Sequence, residues 1–585
     1  MWLLFFAAAC EPAGQTRQSA PGDTAPPAVP VDADHDGVAA EEDCDDTDGN
    51  VFPGAPEVCD GVDQDCDGAA DEGVPNDGSG CADPGWPELP DVVGTIQVTL
   101  ATADVDNAQT DDPVGVCLGE WCAELDLQEW DDRERGKLDV HTFEDVGVSR
   151  ADLDGFRVYV GSGTDRWQPA GFAVTFDGEG VYSRLPEALF LGTEGGDEVE
   201  EWTDDLGVHD DTIWPDVLTH GPMNGAVFAE GARVWFRTDR TRRVELRVAA
   251  TADALATAPA VAVRYPGPHA DFTEVVEVYG LGDHQEWAYS LVVDGVAHGP
   301  YTLVSGPADG APGVRRVAFG SCTKDDAQPL FAAIRDAEPD VFLFVGDNHY
   351  ANSDDLGGLR QWYRWAHERD ERAELLREAA IYATWDDHDY VGNDTDGSAP
   401  GKEDALRAFG DYWANGALGL ADAPGVYTAH TFGDLGIWLL DDRYWRGTDD
   451  SITGAAQEAW LLDSITTSTA TFKLVVSGSQ FNLDGTADSW REFPEAQARV
   501  VEALAAVGGV VFLSGDIHTS ELVPVPGGAY AIPEFTSSPL AYNGVGKVIY
   551  LDVDTTVADP TLVARIVDLA GDELDRWELL RSELE

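Results

Sequence analysis

Four stretches in the second half of the chain decide its fold: RRVAFGSC (315–322), VFLFVGDNHY (341–350), IYATWDDHD (381–389) and VVFLSGDIH (510–518). Each begins with a short apolar run and ends in polar residues. Short apolar runs that alternate with helical stretches predict buried parallel strands joined by crossover helices. Because the chemistry of such sheets collects at the carboxyl ends of the strands, we expect the four polar ends to lie together.

The polar ends carry groups that bind metal ions in proteins. They supply thiol, carboxylate, phenol and imidazole side chains. The candidate ligands are Cys322, Asp347, Tyr350, Asp387, Asp516 and His518. One Gly-Asp pair at a strand end is typical of an ordinary polar turn, but four polar ends in succession predict a metal site.

The motifs also resemble a known family. GSC, GD-x-x-Y, WDDHD and GD-x-H, with LLDDRYWR (439–446) between them, resemble the alkaline phosphatase D-like branch of the metallophosphoesterases over roughly residues 218–575. The wider superfamily begins with D-x-H, whereas this branch has a cysteine, as this chain has at Cys322. The resemblance implies a catalytic four-layer α/β/β/α sandwich that hydrolyses phosphoric mono- or diesters by attack of a metal-bound hydroxide on phosphorus.

The resemblance also implies a ligand set for two metal ions. The first would take Cys322, Asp347, Tyr350 and His518, and the second Asp347, Asp387 and Asp516. A thiolate and a phenolate favour ferric iron, whereas carboxylates suit calcium or manganese. The expected centre is therefore Fe3+ with Ca2+, and Mn2+ or Zn2+ are alternatives. The superfamily's histidine after one strand is replaced by 479–482 (SQFN), so amide and carboxylate oxygens are expected at the second metal.

His388 and Arg443 are the candidate catalytic residues. His388 follows a predicted ligand and is expected to touch the transferring phosphate rather than a metal. Arg443 has a bidentate guanidinium that suits a phosphate. A structural ion pair of Arg443 with Asp441 or Asp442 is an equal alternative. His349 has no assigned role and is expected to be an exposed loop histidine.

Residues 31–75 form an acidic segment with three cysteines, and a fourth, Cys81, follows it; the segment predicts a separate calcium-binding module. Alternate carboxylates followed by glycine match an EF-hand-type loop, and a second cluster repeats the alternation. The candidate calcium ligands are Asp32, Asp34, Asp36, Asp43, Asp63, Asp65 and Asp67. The segment resembles a Cys/Asp metal-binding repeat of secreted bacterial surface proteins. An acidic disordered linker is the less favoured interpretation.

The N-terminus predicts export. Residues 1–10 (MWLLFFAAAC) resemble a truncated lipoprotein signal with Cys10 as the lipidated residue, and 11–30 form a Pro-rich linker. Residues 1–10 are too short to span a bilayer. Three disulfides are expected among Cys44, Cys59, Cys66, Cys81, Cys117 and Cys122. Disulfides require an oxidising compartment, so we expect a bacterial cell-envelope lipoprotein or a secreted protein.

Two β-rich regions precede the predicted catalytic domain at 310–575. Short alternating runs predict a β-sandwich at 93–195. VTLATADVDNAQTDDPVGVCLG (98–119) in it resembles a PLAT/lipoxygenase-type domain, which implies a lipid or protein partner. Residues 218–305 resemble the immunoglobulin-like domain that precedes the catalytic domain in alkaline phosphatase D relatives.

Composition limits the remaining possibilities. The chain has 585 residues, of which 43% are apolar, so it can bury several cores. Its net charge of −75 disfavours binding to nucleic acid, whose phosphates need a basic surface. We expect a monomer that contacts a membrane only through its lipid anchor. The alternatives in function are a phospholipase-type phosphodiesterase acting on lipids and a non-catalytic calcium-binding surface protein.

Overall fold

The computed structural model describes residues 92–585 with gaps. The described ranges are 92–102, 114–118, 121–125, 138–143, 146–149, 156–160, 166–167, 169–176, 179–184, 191–192, 201–204 and 218–585, without 240–241, 268–269, 326, 422 and 483–487. The predictions for Cys10, the 11–30 linker and the calcium module at 31–75 lie outside the described residues. The disulfides expected for Cys44, Cys59, Cys66 and Cys81 also lie outside the described residues. Among the described residues, no helix combines the length and the apolar character needed to cross a membrane.

The described residues between 92 and 204 include twelve short strands. They are β1 (Val92–Val93), β2 (Ile96–Thr102), β3 (Val114–Leu118), β4 (Trp121–Leu125), β5 (Leu138–Phe143), β6 (Val148–Ser149), β7 (Phe156–Val160), β8 (Arg166–Trp167), β9 (Pro169–Phe176), β10 (Glu179–Arg184), β11 (Leu191–Gly192) and β12 (Glu201–Asp204). Two four-stranded sheets, β10-β9-β2-β5 and β12-β7-β3-β4, share one apolar core. The strands continue beyond the predicted end at residue 195, because β12 pairs with β7.

A disulfide joins Cys117 to Cys122, which face each other across the β3–β4 hairpin. It is one of the three disulfides expected among the six cysteines. The short loop places the paired positions opposite each other, with their Cα atoms 4.1 Å apart. Such a spacing allows a bridge without backbone movement.

Residues 218–304 form two antiparallel sheets. Their strands are β13 (Leu218–Asn224), β14 (Ala232–Thr238), β15 (Val244–Ala249), β16 (Ala260–Arg264), β17 (Thr273–Val278), β18 (Glu286–Val293) and β19 (Val296–Val304). The strand orders are β13-β14-β17 and β16-β15-β18-β19. A 3-10 helix spans Ala252–Thr257. Inward-facing residues of both sheets, such as Val234 and Leu291, belong to one buried core.

Two six-stranded sheets form the rest of the chain. Their strands are β20 (Val314–Gly320), β21 (Val341–Val345), β22 (Ala380–Thr384), β23 (Thr428–Phe432), β24 (Leu435–Leu439), β25 (Phe472–Val476), β26 (Val510–Ser514), β27 (Glu521–Val525), β28 (Ile532–Thr536), β29 (Lys547–Asp554), β30 (Thr561–Asp568) and β31 (Glu573–Leu580). The orders are β22-β21-β20-β29-β30-β31 and β23-β24-β25-β26-β28-β27. Both sheets are mixed, and the predicted parallel pairing holds for β20–β21–β22 and for β24–β25–β26.

Helices cover the outer faces of these two sheets. They are α1 (Leu330–Asp336), α2 (Leu356–His367), α3 (Asp370–Glu378), α4 (Asp387–Tyr390), α5 (Lys402–Tyr412), α6 (Gly454–Thr467) and α7 (Pro494–Val507). Further 3-10 turns span Thr448–Asp450, Trp490–Glu492 and Arg581–Glu583.

The two faces of β21 show why the layers form. Phe342 and Phe344 face the first helical layer, which includes α1, α2, α3 and α5. Leu343 and Val345 point the other way, into the core between the sheets, because successive side chains of a strand alternate. A separate core lies under α6 and α7 on the second sheet. The order is therefore helices, sheet, sheet, helices, as the sequence predicts.

Candidate metal centre

The four polar stretches lie where four strands end. β20 leads into Cys322, β21 into Asp347, β22 into Asp387 at the start of α4, and β26 into Asp516. The first three strands are neighbours in the first sheet, and β26 belongs to the second sheet. The carboxyl ends of both sheets therefore contribute to one site.

One donor cluster contains Cys322, Asp347 and His518, whose ligand atoms lie within 4.8 Å of one another. The Cys322 Sγ is 3.3 Å from Asp347 Oδ2. The Tyr350 hydroxyl donates to the same oxygen at 3.0 Å and lies 3.4 Å from His518 Nε2. The structure thus brings together all four residues that the sequence predicts for the first metal.

A second cluster contains Asp347, Asp387 and His388, whose ligand atoms also lie within 4.8 Å of one another. Asp347 belongs to both clusters and lies between them. Asp387 Oδ2 accepts a hydrogen bond of 2.8 Å from the backbone N–H of Asp394. Asp347 Oδ1 and Asp387 Oδ1 are buried and have no hydrogen-bond partner among the described residues. Both oxygens therefore have lone pairs available for a cation.

Asp394 and Asp488 are site residues that sequence reasoning missed. Together with Asp387 they form a third cluster of ligand atoms within 4.8 Å. Neither follows a strand, so the strand-end pattern could not find them. Asp516, a predicted ligand of the second metal, is in none of these clusters. Its backbone carbonyl lies 3.4 Å from Cys322 Sγ.

Burial and the repulsion between neighbouring carboxylates make the ionised forms of these carboxylates unfavourable. Burial, with the charges of Asp387, Asp389 and Asp516, raises the pKa of Asp347 well above its usual range. Burial and Asp387 raise the pKa of Asp516 to about 8. Buried carboxylates without a counter-charge are costly, and a cation removes that cost. The donor set therefore fits bound metal ions.

The thiol and the phenol experience the same environment. Burial, followed by the charge of Asp347, raises the pKa of Cys322 and of Tyr350 well above their ordinary values. Asp387 differs. Burial alone would raise its pKa, but the charges of Arg443 and His388 outweigh burial and lower it. Asp387 is thus easier to ionise than Asp347 and Asp516.

The backbone at the predicted ligands is strained. Cys322, Asp347, Asp516 and His518 have φ angles of 61°, 52°, 69° and 53°. L-residues with side chains rarely adopt this left-handed region, and such strain concentrates at functional sites. At each of these positions the chain accepts a local cost while it turns a donor toward the site.

Arg443 forms buried ion pairs, and its shortest contacts are with partners other than the two expected ones, Asp441 and Asp442. It is fully buried, and its Nε donates to Asp386 Oδ1 at 2.6 Å. Its two terminal nitrogens donate to the carboxylate of Asp488 at 2.9 and 2.7 Å. Asp442 is 3.8 Å away, and its Oδ2 accepts from Ser479 N–H instead. The guanidinium is engaged by protein groups, which leaves the predicted contact with phosphate without support.

Two further expectations need correction. His349 is buried, not exposed, because its ring packs edge-on against Tyr363 with centroids 4.2 Å apart. The amides after β25 do not turn toward the donor clusters. Gln480 donates to Thr536 at 2.7 Å, and Asn482 donates to the Pro524 carbonyl at 3.1 Å. Carboxylates, rather than amides, supply the oxygens near Asp387.

Comparisons with known proteins concern the family and the fold. The family model of the PhoD-like phosphatases matches residues 317–568, and a model of a metal-binding motif matches residues 43–72. No curated relative matches the sequence. A solved structure of PhoD is 16% identical, with a TM-score of 0.49, and covers 60% of this chain and 91% of that chain.

A purple acid phosphatase, PPD1 from yellow lupin (Lupinus luteus) seeds, is 12% identical with a TM-score of 0.50. The match covers 83% of this chain and 93% of that chain. A likeness at this identity concerns the fold alone. Residues 317–568 therefore match the PhoD-like phosphatase family, and the chain has the mixed-sheet fold of the metal-dependent phosphoesterases.

Proposed function

We propose that residues 310–575 hydrolyse phosphoric esters at a dinuclear metal centre bridged by Asp347. The observation that carries the proposal is the Asp347 carboxylate, which belongs to both donor clusters. Once bound, two metal ions supply Lewis-acid stabilisation of the phosphoryl oxygens and acidify the attacking water. Positioning the ester and stabilising its charge are the tasks left for the protein.

The donor chemistry supports different metals at the two positions. The first would be held by Cys322, Asp347, Tyr350 and His518, and the second by Asp347 and Asp387. The family resemblance adds Asp516 to the second set, whereas the third donor of the observed cluster is His388. A thiolate and a phenolate favour Fe3+ at the first position, whereas an all-oxygen set favours Ca2+ at the second. Asp394 extends the oxygen-rich side of the site, whereas the Asp488 carboxylate accepts hydrogen bonds from Arg443.

His388 is placed to contact the substrate. Its Nδ1 donates to Asn352 Oδ1 at 2.6 Å, so the ring orientation is fixed and Nε2 remains for another contact. The ring packs on Tyr350 with centroids 4.2 Å apart. A fixed imidazole beside both clusters can hydrogen-bond a phosphoryl oxygen or a leaving group.

Lys324 and Tyr542 line the rim of the site. The Lys324 ammonium lies 5.6 Å from the ring centroid of Tyr350 and 5.1 Å from that of Tyr542. Tyr542 in turn stacks on His518 with centroids 3.8 Å apart. The Lys324 ammonium, close to the exposed predicted ligand His518, suits a negatively charged ester. This arrangement supports an enzyme rather than a core without activity.

The test is turnover of a panel of phosphate esters by the full chain before and after chelation. We expect hydrolysis of p-nitrophenyl phosphate or its bis ester, lost on chelation and restored by metal. Faster turnover of phosphatidylcholine vesicles than of both soluble esters would favour the phospholipase alternative. Metal-replete protein that turns over none of these substrates would support the non-catalytic alternative.

We also propose that residues 31–75 bind calcium and that the chain is exported with Cys10 as a lipid anchor. The support for calcium is the alternating carboxylates and the metal-binding motif model at 43–72, and the support for export is the apolar run before Cys10 together with the Cys117–Cys122 disulfide. Calcium should raise the melting temperature of the full chain relative to EGTA, and Asp34→Asn with Asp65→Asn should remove part of that shift. Identical shifts in the double variant and the wild type would count against the module.

A further inference from the structure

A buried cation lies directly behind the metal-binding loops. Arg372, on α3, is 0% exposed. Its Nη1 donates to the carbonyl of Asn348 at 2.7 Å and lies 3.4 Å from the Thr323 hydroxyl. Its Nε and Nη2 have no hydrogen-bond partner among the described residues. No carboxylate in the described part of the chain therefore hydrogen-bonds this guanidinium.

Aromatic rings pack against the guanidinium of Arg372, and Asp389 is the carboxyl whose charge acts on it without a hydrogen bond. Its guanidinium carbon lies 4.7 Å from the ring centroid of Phe344 and 5.8 Å from that of Trp413. Burial, followed by the charge of Arg369, lowers the pKa of Arg372 to about 9. A buried charge is expensive unless an opposite charge compensates it.

Unpartnered hydrogen-bonding groups cluster around the same place. Within the described residues, buried atoms without a partner include His349 Nε2, the Tyr363 hydroxyl, both ring nitrogens of His367 and Trp413 Nε1. The ring centroids of Tyr363 and Trp413 are 6.3 Å apart, and those of His367 and Trp413 are 4.9 Å apart.

Most of these groups are hydrogen-bond donors. Arginine and the tryptophan indole can only donate. His349 Nδ1 accepts from the backbone N–H of Ala351 at 3.3 Å, so the neutral ring carries its proton on Nε2, which then donates. The neighbouring unpartnered acceptor is Asn348 Oδ1. A buried positive charge among donors matches an electron-rich ligand.

We propose that the cluster of buried groups on Arg372, His349, Tyr363, His367 and Trp413 binds one small monovalent inorganic anion, of which chloride is the natural example. A single negative charge neutralises Arg372, and a spherical ion can accept several N–H and O–H donors at once. Arg372 also holds the residues that follow Cys322 and Asp347. The bound anion therefore stiffens the two loops that present predicted metal ligands.

Bromide-soaked crystals of the full chain give the direct test. Anomalous diffraction at the bromine edge should show a peak within hydrogen-bonding distance of Arg372 Nε or Nη2. Bromide replaces chloride chemically but, unlike water, gives an anomalous signal. Density beside Arg372 Nε or Nη2 without a bromine peak would assign the site to water and overturn the proposal.

Melting temperatures test the site in solution. Sodium chloride should raise the melting temperature of the wild type by roughly 2 °C or more above sodium gluconate at equal ionic strength. Arg372→Met should lose this chloride-specific shift. Arg335→Met is the matched control, because Arg335 pairs with Asp336 at 2.8 Å on α1, and it should keep the shift.

Trp413→Phe covers the case in which Arg372→Met does not fold. It removes one N–H donor while an aromatic ring remains, and it should raise the chloride concentration at half-shift several-fold. Equal melting of the wild type in the two salts, or an unchanged half-shift concentration in Trp413→Phe, would overturn the proposal.

Discussion

At the scale of single residues, substitution of Cys322 shows whether this cysteine binds a metal or only packs in the core. Its thiol is buried and free, and a thiol that binds a metal is deprotonated despite a raised pKa. We predict that Cys322→Ser removes the visible absorption of a thiolate–phenolate ferric centre and most activity, with little change in melting temperature. Ser321→Ala, which removes a hydroxyl 3.2 Å from Sγ, is the control. Colourless wild type that is fully active with calcium or zinc alone would refute iron.

Lys324 permits a second test at this scale. If its ammonium attracts the ester, Lys324→Ala should raise KM roughly tenfold and change kcat less, as for the loss of one charged contact of about 1.5 kcal/mol. Lys402→Ala is the matched control, since Lys402 lies 4.4 Å over the Tyr444 ring. Steady-state kinetics on p-nitrophenyl phosphate checks this. A tenfold fall in kcat at unchanged KM would instead give Lys324 a role in the transition state alone.

At the scale of elements, Arg443 ties the turn after β24 to the start of α4. It joins Asp386, which directly precedes α4, to Asp488 in a separate loop. Arg443→Met should cost about 3–5 kcal/mol in the free energy of unfolding, because it leaves two carboxylates without their cation. Urea denaturation measures this loss. Arg499→Met, whose more exposed Arg499 pairs with Glu458, should cost about 1 kcal/mol or less. Equal costs would contradict this role.

The elements also show what the sequence could predict. β21 is apolar on both faces and is followed by Asp347, so its pattern identifies both a buried strand and a site residue. The role of Arg443 depends on Asp488, which is 45 positions away. The burial of His349 depends on Tyr363 in α2. Pairings between distant segments leave no local pattern, so sequence reasoning left the first open and missed the second.

At the scale of the whole molecule, Asp271 links the 218–304 sheets to the helices over the first six-stranded sheet. It accepts hydrogen bonds from Arg237 at 3.2 Å and from Arg364 of α2 at 2.5 Å, and another from the Tyr412 hydroxyl of α5. Asp271→Asn should lower the free energy of unfolding by about 3–5 kcal/mol, since it leaves two buried cations without their anion. Chemical denaturation at neutral pH checks the value.

The pH dependence of this link has a definite sign. Burial alone would raise the pKa of Asp271, but the charges of Arg237 and Arg364 outweigh burial and lower it. Its contribution is therefore present above the unfolded-state pKa of about 4 and is lost as the pH falls below that value. The stability difference between the wild type and Asp271→Asn should shrink between about pH 5 and pH 3. A difference that grows in this range would contradict the ion pair.

Metal content and activity, measured on the same samples, test the central claim that Asp347 bridges two metal ions. The wild type and Asp354→Asn, an exposed carboxylate change near the same loop, should each contain two metal ions per catalytic domain, beyond those of the calcium module, and hydrolyse p-nitrophenyl phosphate or its bis ester. Asp347→Asn should lose at least one of the two ions and about three orders of magnitude or more in kcat. Asp347→Asn that keeps both ions and wild-type turnover would contradict the account.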